Sequence, residues 1–309
     1  MRKLAILSIS ILLISAADNL RAQNYPVYSQ YLLDGLVINP AYTGTREALT
    51  ASVSLRRKSM NMDGAPSMGT FSLHSPLKND RVALGIMSHY QSYGVTSKAS
   101  VFASYAFHIK TKNGRWSLGL KAGVDMLNND YSSITTVVPN DPAFTNAVTA
   151  YTLPNVGAGV YYNSDVFFAG VAVPEMFSYR ENSNDSGYEF YHDYENYYFM
   201  GTAGGLITFA DAFRFKPSAL VRYSINNPLL VDINGNFIIA NFLWLGASWR
   251  LGEEVLVGIV ELQLSQQLKL GYAYEYNMGK LSTFVGGTHE IALRFEFGKK
   301  VSASNPRYF

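Results

Sequence analysis

The adjacent pair His74-Ser75 is the nearest this 309-residue chain comes to a base beside a nucleophile. It lies in a stretch of alternating apolar and polar residues, which reads as a β-strand, and neighbours on a strand point to opposite faces. In that arrangement the two side chains cannot share a proton, and a hydrolase site also needs an orienting carboxylate or amide in reach. The five histidines (74, 89, 108, 192 and 289) show no pair at metal-ligand spacing. GxSxG, HExxH, GxGxxG and Walker sequences are absent. With no cysteine the chain has no thiolate metal site, disulfide or lipid-bearing cysteine. Gly157, Gly159, Gly201, Gly204 and Gly205 fall in strand-like segments with no helix following, so they suit bends or close approach in a sheet better than a phosphate cradle. The expectation is a protein without catalytic, cofactor-binding or metal residues, and not an enzyme.

The segment from Glu175 to Tyr197 has a different chemistry. Six acidic residues (175, 181, 185, 189, 193 and 195) face a single basic one, Arg180, and seven aromatics are interspersed. One reading is a solvated loop with an aromatic base at a membrane boundary. The other is a protein-contact surface, because aromatic side chains are enriched in interface cores. On that second reading Tyr188, Phe190, Tyr191 and Tyr194 are the candidate contacts.

The elements that position these residues read almost entirely as strands. Leu268, Leu270, Tyr272, Tyr274 and Tyr276 alternate with Lys269, Gly271, Ala273, Glu275 and Asn277. Trp116 to Leu127, Phe213 to Ile225 and Glu290 to Phe297 repeat the pattern, each with one apolar and one polar or small face. About fourteen such segments follow one another: 46–59, 66–76, 81–92, 97–110, 115–128, 151–163, 165–174, 198–210, 213–225, 229–240, 242–250, 254–262, 267–278 and 288–298. Most are long enough to cross hydrocarbon at a tilt. Pro217 lacks a ladder donor and weakens the segment that contains it. Connections sort by parity: tight turns near residues 78–80, 110–114, 163–164, 211–212, 241 and 265–266 alternate with the other set, which holds both long loops, 129–150 and 175–197. That is the signature of an up-and-down transmembrane barrel with short periplasmic turns. A pair of β-sandwiches or a propeller would also alternate, but no blade-length repeat is present.

Charged residues make up 16 % of the chain, and 22 tyrosines accompany them. A barrel wall accounts for both, since charge is confined to the lumen and loops while tyrosine suits the membrane–water boundary. Residues 1–22, with Arg2 and Lys3 ahead of a short apolar core and Ala22 before the cut, read as a signal peptide. Its removal takes three basic residues and one acidic, leaving 22 of each and no positive field for nucleic acid. The domain plan is therefore 1–22 signal peptide, 23–45 N-terminal segment, 46–298 barrel and 299–309 a periplasmic tail, with both termini periplasmic and the barrel integral to the outer membrane. Residues 24–44 lack strand alternation, and the expectation is a short helix or extended segment that enters the lumen or lies at its periplasmic mouth.

Four motifs carry a family resemblance: Tyr28-Ser29-Gln30-Tyr31, Ile38-Asn39-Pro40-Ala41-Tyr42-Thr43-Gly44, Gly64-Ala65-Pro66 and His74-Ser75-Pro76-Leu77. Together they resemble the PorP/SprF family of Bacteroidetes outer-membrane proteins. Leu33-Asp34-Gly35 and Lys58-Ser59-Met60 depart from the usual pattern. The resemblance implies a non-enzymatic, cofactor-free role in type IX secretion, beside periplasmic ring, motor or linker subunits and exported proteins with C-terminal sorting domains. It also implies service to virulence factors or gliding adhesins. It marks Tyr28, Gln30, Tyr31, Asn39, Pro40 and Tyr42 as a fixed N-terminal element. The rival classes are a passive porin, expected to conduct, and an outer-membrane enzyme, expected to hydrolyse lipid or peptide.

Overall fold

The computed structural model describes residues 26–60, 64–77, 80–131, 148–182, 187–191, 195, 197–225, 227–279 and 286–298. The signal-peptide region, the C-terminal tail and Tyr194 lie outside the described residues.

Alternation becomes a meander. β1 (Leu49–Arg57) pairs with β2 (Ser67–Pro76), and pairing continues through β3 (Val82–Tyr93), β4 (Thr96–Thr111), β5 (Gly114–Asp130), β6 (Val148–Asn163) and β7 (Phe167–Val173). After a separate two-stranded hairpin, β8 (Ser178–Asn182) with β9 (Gly187–Tyr191), the next crossing comes in two pieces, β10 (Phe199–Gly205) and β11 (Ile207–Ala210). Then come β12 (Phe213–Ser224), β13 (Asn227–Ile239), β14 (Leu243–Leu251), β15 (Val255–Gln263), β16 (Leu268–Asn277) and β17 (Thr288–Phe297). β17 pairs back onto β1, from Leu49 opposite Phe297 to Arg57 opposite His289. The result is a closed antiparallel barrel of 14 crossings, each paired with a crossing on either side.

The faces are inverted relative to a soluble protein. Leu120 is 61 % exposed while the next residue, Lys121, is 5 % exposed. Leu55, Ile86, Tyr105, Trp249 and Tyr276 point outward, whereas Arg250, Lys269, Glu290 and Arg294 are buried within. In water such an outer surface would cost about 25 cal/mol per Å²; in hydrocarbon it is the favourable one. β4, β5 and β6 run 16, 17 and 16 residues, more than the roughly 10 that a tilted strand needs to cross. Their turns at one end are tight, so the excess stands out on the side of the long loops.

Two local features differ from the sequence expectation. The 198–210 segment is interrupted at Leu206, which turns inward against Ile238 and Trp244. The interruption sits opposite Pro217: Gly204 pairs with Ser218 and Ile207 with Phe215, while Pro217 keeps its place facing Gly235 of β13. A proline is tolerated where its missing N–H meets a break in the ladder. Within 175–197, expected as a loop, the backbone forms the β8–β9 hairpin.

Candidate functional site

The lumen is filled by the chain's own residues 26–48. Two 3-10 turns, Gly35–Val37 and Pro40–Tyr42, shape this segment, and nearly every residue in it is buried. Both turns are capped from the sequence itself. The Asp34 carboxylate accepts from Leu36 N and the Asn39 side chain from Ala41 N, leaving proline at the first position, where an N–H is not needed. Of the two sequence alternatives, lumen or periplasmic mouth, the geometry selects the lumen.

The direction of travel follows from the partners. Ser29 N and Gln30 N donate to the two oxygens of Glu290, at 3.0 and 3.1 Å, and Gln30 Nε2 reaches the Glu290 carbonyl at 3.1 Å. Glu290 and Arg56 stand two residues and one residue from the long-loop ends of β17 and β1. Arg56 ties this end together: it donates to Ser29 Oγ at 3.0 Å, to both oxygens of Glu275 at 2.6 and 2.7 Å, and to Glu290 at 3.3 Å. Ser29 Oγ also donates to Glu275, which takes a further bond from Arg250 at 3.2 Å. Burial of so many charges is tolerable because each is paired and hydrogen-bonded.

Farther down, Arg294 donates to the Leu33 carbonyl at 2.9 Å and Ser72 to Asp34 at 2.5 Å. Asn234 Nδ2 donates to the Tyr31 hydroxyl at 2.8 Å. Asn39 Nδ2 reaches the wall carbonyls of Val160 and Val171 at 3.1 and 3.4 Å. Glycine makes this approach possible: a Cβ on Gly159 would meet Asn39 Oδ1, and one on Gly119 would meet the backbone of Pro40 and Ala41. Tyr42 packs edge-on to His74 and Tyr161, with ring centroids 5.9 and 5.6 Å away. Gly44 N donates to His74 Nδ1 at 3.0 Å, and Arg46 pairs with Glu296 near the short-turn end before β1 begins.

The six motif residues Tyr28, Gln30, Tyr31, Asn39, Pro40 and Tyr42 are thus all buried inside the barrel, in one continuous segment. His74, the would-be base, accepts from the backbone of that segment. Sequence reasoning missed the wall partners Arg56, Glu275, Glu290, Arg294 and Glu296. The signal available was a charge at an inward position of a strand. For the partner-loop residues, Tyr188, Phe190 and Tyr191 fall on the backbone of β9. The C-terminal end of the barrel, Phe297, lies at the short-turn end, as does the start of β1. The segment ahead of β1, by contrast, climbs to the long-loop end. The expectation that both termini are periplasmic concerns residues outside the described ones.

Two cavities along the segment, one beside Tyr31, Tyr42 and Tyr161 and one beside Tyr28 and Asp34, are each about 20 Å³, room for a single water.

Fold and lumen together define a class: a transmembrane β-barrel filled from within by the residues that precede its first strand. The chain belongs to the family described as type IX secretion system membrane protein PorP/SprF, whose model matches residues 20–295. It is an outer-membrane barrel of a secretion family. Among solved structures it is similar to the CymD monoaromatic hydrocarbon channel, with a TM-score of 0.54 at 12 % identity over 86 % of this chain and 93 % of that one. Omp33 of Acinetobacter baumannii gives 0.47 at 9 % identity over 81 % and 98 %. A FadL homologue of Pseudomonas aeruginosa gives 0.46 at 11 % over 84 % and 93 %. At such identities a likeness concerns fold alone. The sequence matches no curated protein.

Proposed function

We propose that the protein serves type IX secretion by binding: it holds exported proteins with C-terminal sorting domains, or other subunits of the system, at the outer membrane, without catalysis and without conducting solute. The observation that carries this reading is the occupied lumen. A passive porin needs a continuous water path, and residues 26–48 run through the lumen on hydrogen bonds to β1, β2, β6, β7, β13 and β17. With the interior taken, the surfaces left for partners are the two mouths and the loops, including 175–197. In the proposed orientation the short turns and the tail 299–309 face the periplasm, and the long loops, with Pro26 beneath them, face outward.

The test combines two measurements. Purified protein in planar bilayers is expected to stay closed, and mild-detergent purification from the native host is expected to bring type IX subunits or cargo with it. Steady single-channel conductance with nothing copurifying would overturn the reading in favour of a porin. An epitope placed after Asn24 is expected to be labelled on intact cells, and cross-linking from Arg307 to capture a periplasmic subunit. Deleting 181–193 with partner binding and export intact would remove the loop from the proposal.

A further inference from the structure

The geometry points to a divalent-cation site at the long-loop end of the lumen, built by His89, Asp125 and Glu175, with Lys98 as its resident competitor. The three side chains come from β3, β5 and the connection after β7, and one ligand atom of each lies within 4.8 Å of the others. A zinc ion at its usual bond lengths holds ligand atoms about 3.4 Å apart, so a modest contraction closes the site. Imidazole plus two carboxylates, with positions left for water, suits zinc or a neighbouring first-row metal.

The second observation is histidine itself. His89 is 4 % exposed, and both ring nitrogens are buried without a hydrogen-bond partner, as is Glu175 Oε1. A buried imidazole with two unsatisfied nitrogens is costly unless something takes a lone pair. Its ring is held by stacking on Phe102, centroids 6.3 Å apart and planes within 21°.

The surroundings are built for the same purpose. Ser100 donates to Asp125 Oδ1. Asn155 is the positioning residue. Its Oδ1 accepts from Met176 N and Phe177 N at 3.1 Å each, which fixes the backbone next to Glu175, while its Nδ2 reaches Asp125 Oδ2 at 3.4 Å. Lys98 Nζ lies between the carboxylates, 3.2 Å from Asp125 and 3.5 Å from Glu175, where a cation would sit. Its side chain is 19 % exposed, so it has a route out. Lys121, the other nearby cation, is parked over the Phe102 ring at 4.1 Å. Metal entry exchanges the Lys98 ammonium for a divalent ion and ties the connection after β7, which leads into β8, to the barrel wall.

The experiment is zinc titration by calorimetry on the full detergent-folded barrel after a chelator wash, with cobalt absorbance as a second readout. Heat-modifiable gel migration confirms that each variant is folded. Wild type is expected to bind one zinc per barrel. His89→Ala and Glu175→Gln should each weaken binding at least tenfold, Asn155→Ala ten- to hundredfold as an outer-shell partner, and His289→Ala not at all. Lys98→Met is expected to tighten binding at least tenfold, an effect that a merely structural lysine would not produce. Absence of zinc binding in both wild type and Lys98→Met overturns the proposal, as does binding that His89→Ala leaves unchanged.

Discussion

Around Ser29 and Gln30 the luminal segment meets carboxylates and guanidinium groups, whereas around Asn39 to Ala41 it meets glycines, backbone carbonyls and aromatic rings. The first stretch is held by a few directional bonds to Glu290 and Arg56, whose net contribution is small but whose disruption leaves a charge buried and unpaired. The second is held by fit: Tyr42, Tyr161 and Phe168 form one apolar cluster, and Gly119 and Gly159 let backbone approach backbone. Charge-based anchoring can be undone by one proton or one exchange of partner. Steric fit yields only when the wall itself changes.

The largest effect is expected where the wall is altered. Gly119→Val places side-chain atoms on Pro40 and Ala41, a clash for which small-to-large changes typically cost 1–3 kcal/mol or more. Displaced residues 35–45 should then make the closed barrel conduct in bilayers. A Gly119→Val barrel that folds and stays closed would break the claim that fit holds this stretch. Next is Glu290→Gln, which leaves Arg56 paired with Glu275 but takes away the charge that Ser29 N and Gln30 N donate to. With about 1.5–3 kcal/mol at stake in hydrogen bonds to a charged group, the Ser29 and Gln30 amides should exchange with solvent roughly ten- to a hundredfold faster, with the Ala41 amide unaffected. If the Ala41 amide accelerates equally, the segment opens as one unit and the contrast between its parts disappears. Asn39→Ala removes a cap and two wall bonds, and about 1–2 kcal/mol of protection at Ala41 should go with them, read by the same exchange measurement. Tyr31→Phe is the mildest. Loss of the Asn234 bond should shift the urea midpoint by no more than about 1 kcal/mol equivalent.

The wall was legible in the sequence, and its interior was not, for one physical reason. A barrel writes its inside and outside into every strand, so Leu268 to Asn277 alone announces both faces. Partnership inside the lumen joins residues far apart: Ser29 and Glu290 are separated by 261 positions, and nothing local to either names the other. Likewise His89, Asp125 and Glu175 come together because β3, β4 and β5 are neighbours and the chain returns after β7. Histidine spacing along the chain carries no trace of it. The break at Leu206 was hidden because alternation carries straight through 198–210, although Pro217 marked the place from the facing strand. The motif residues at 28–42 could be singled out but not placed, since an aperiodic stretch says only that it is not wall.

Closure of β1 onto β17 also sets an order of events. The seam from Leu49 to Arg57 seals around residues 26–48, whose Arg46 already needs Glu296 and whose Ser29 already needs Glu290 on the sealing strand itself. Bulky Tyr42, Tyr31 and Tyr28 would have to pass one another's pockets to arrive after the wall is complete. The expected order is therefore a sheet rolled around its own luminal segment, as cloth is wound on a spindle, with the last strand closing over residues 26–48 already in place.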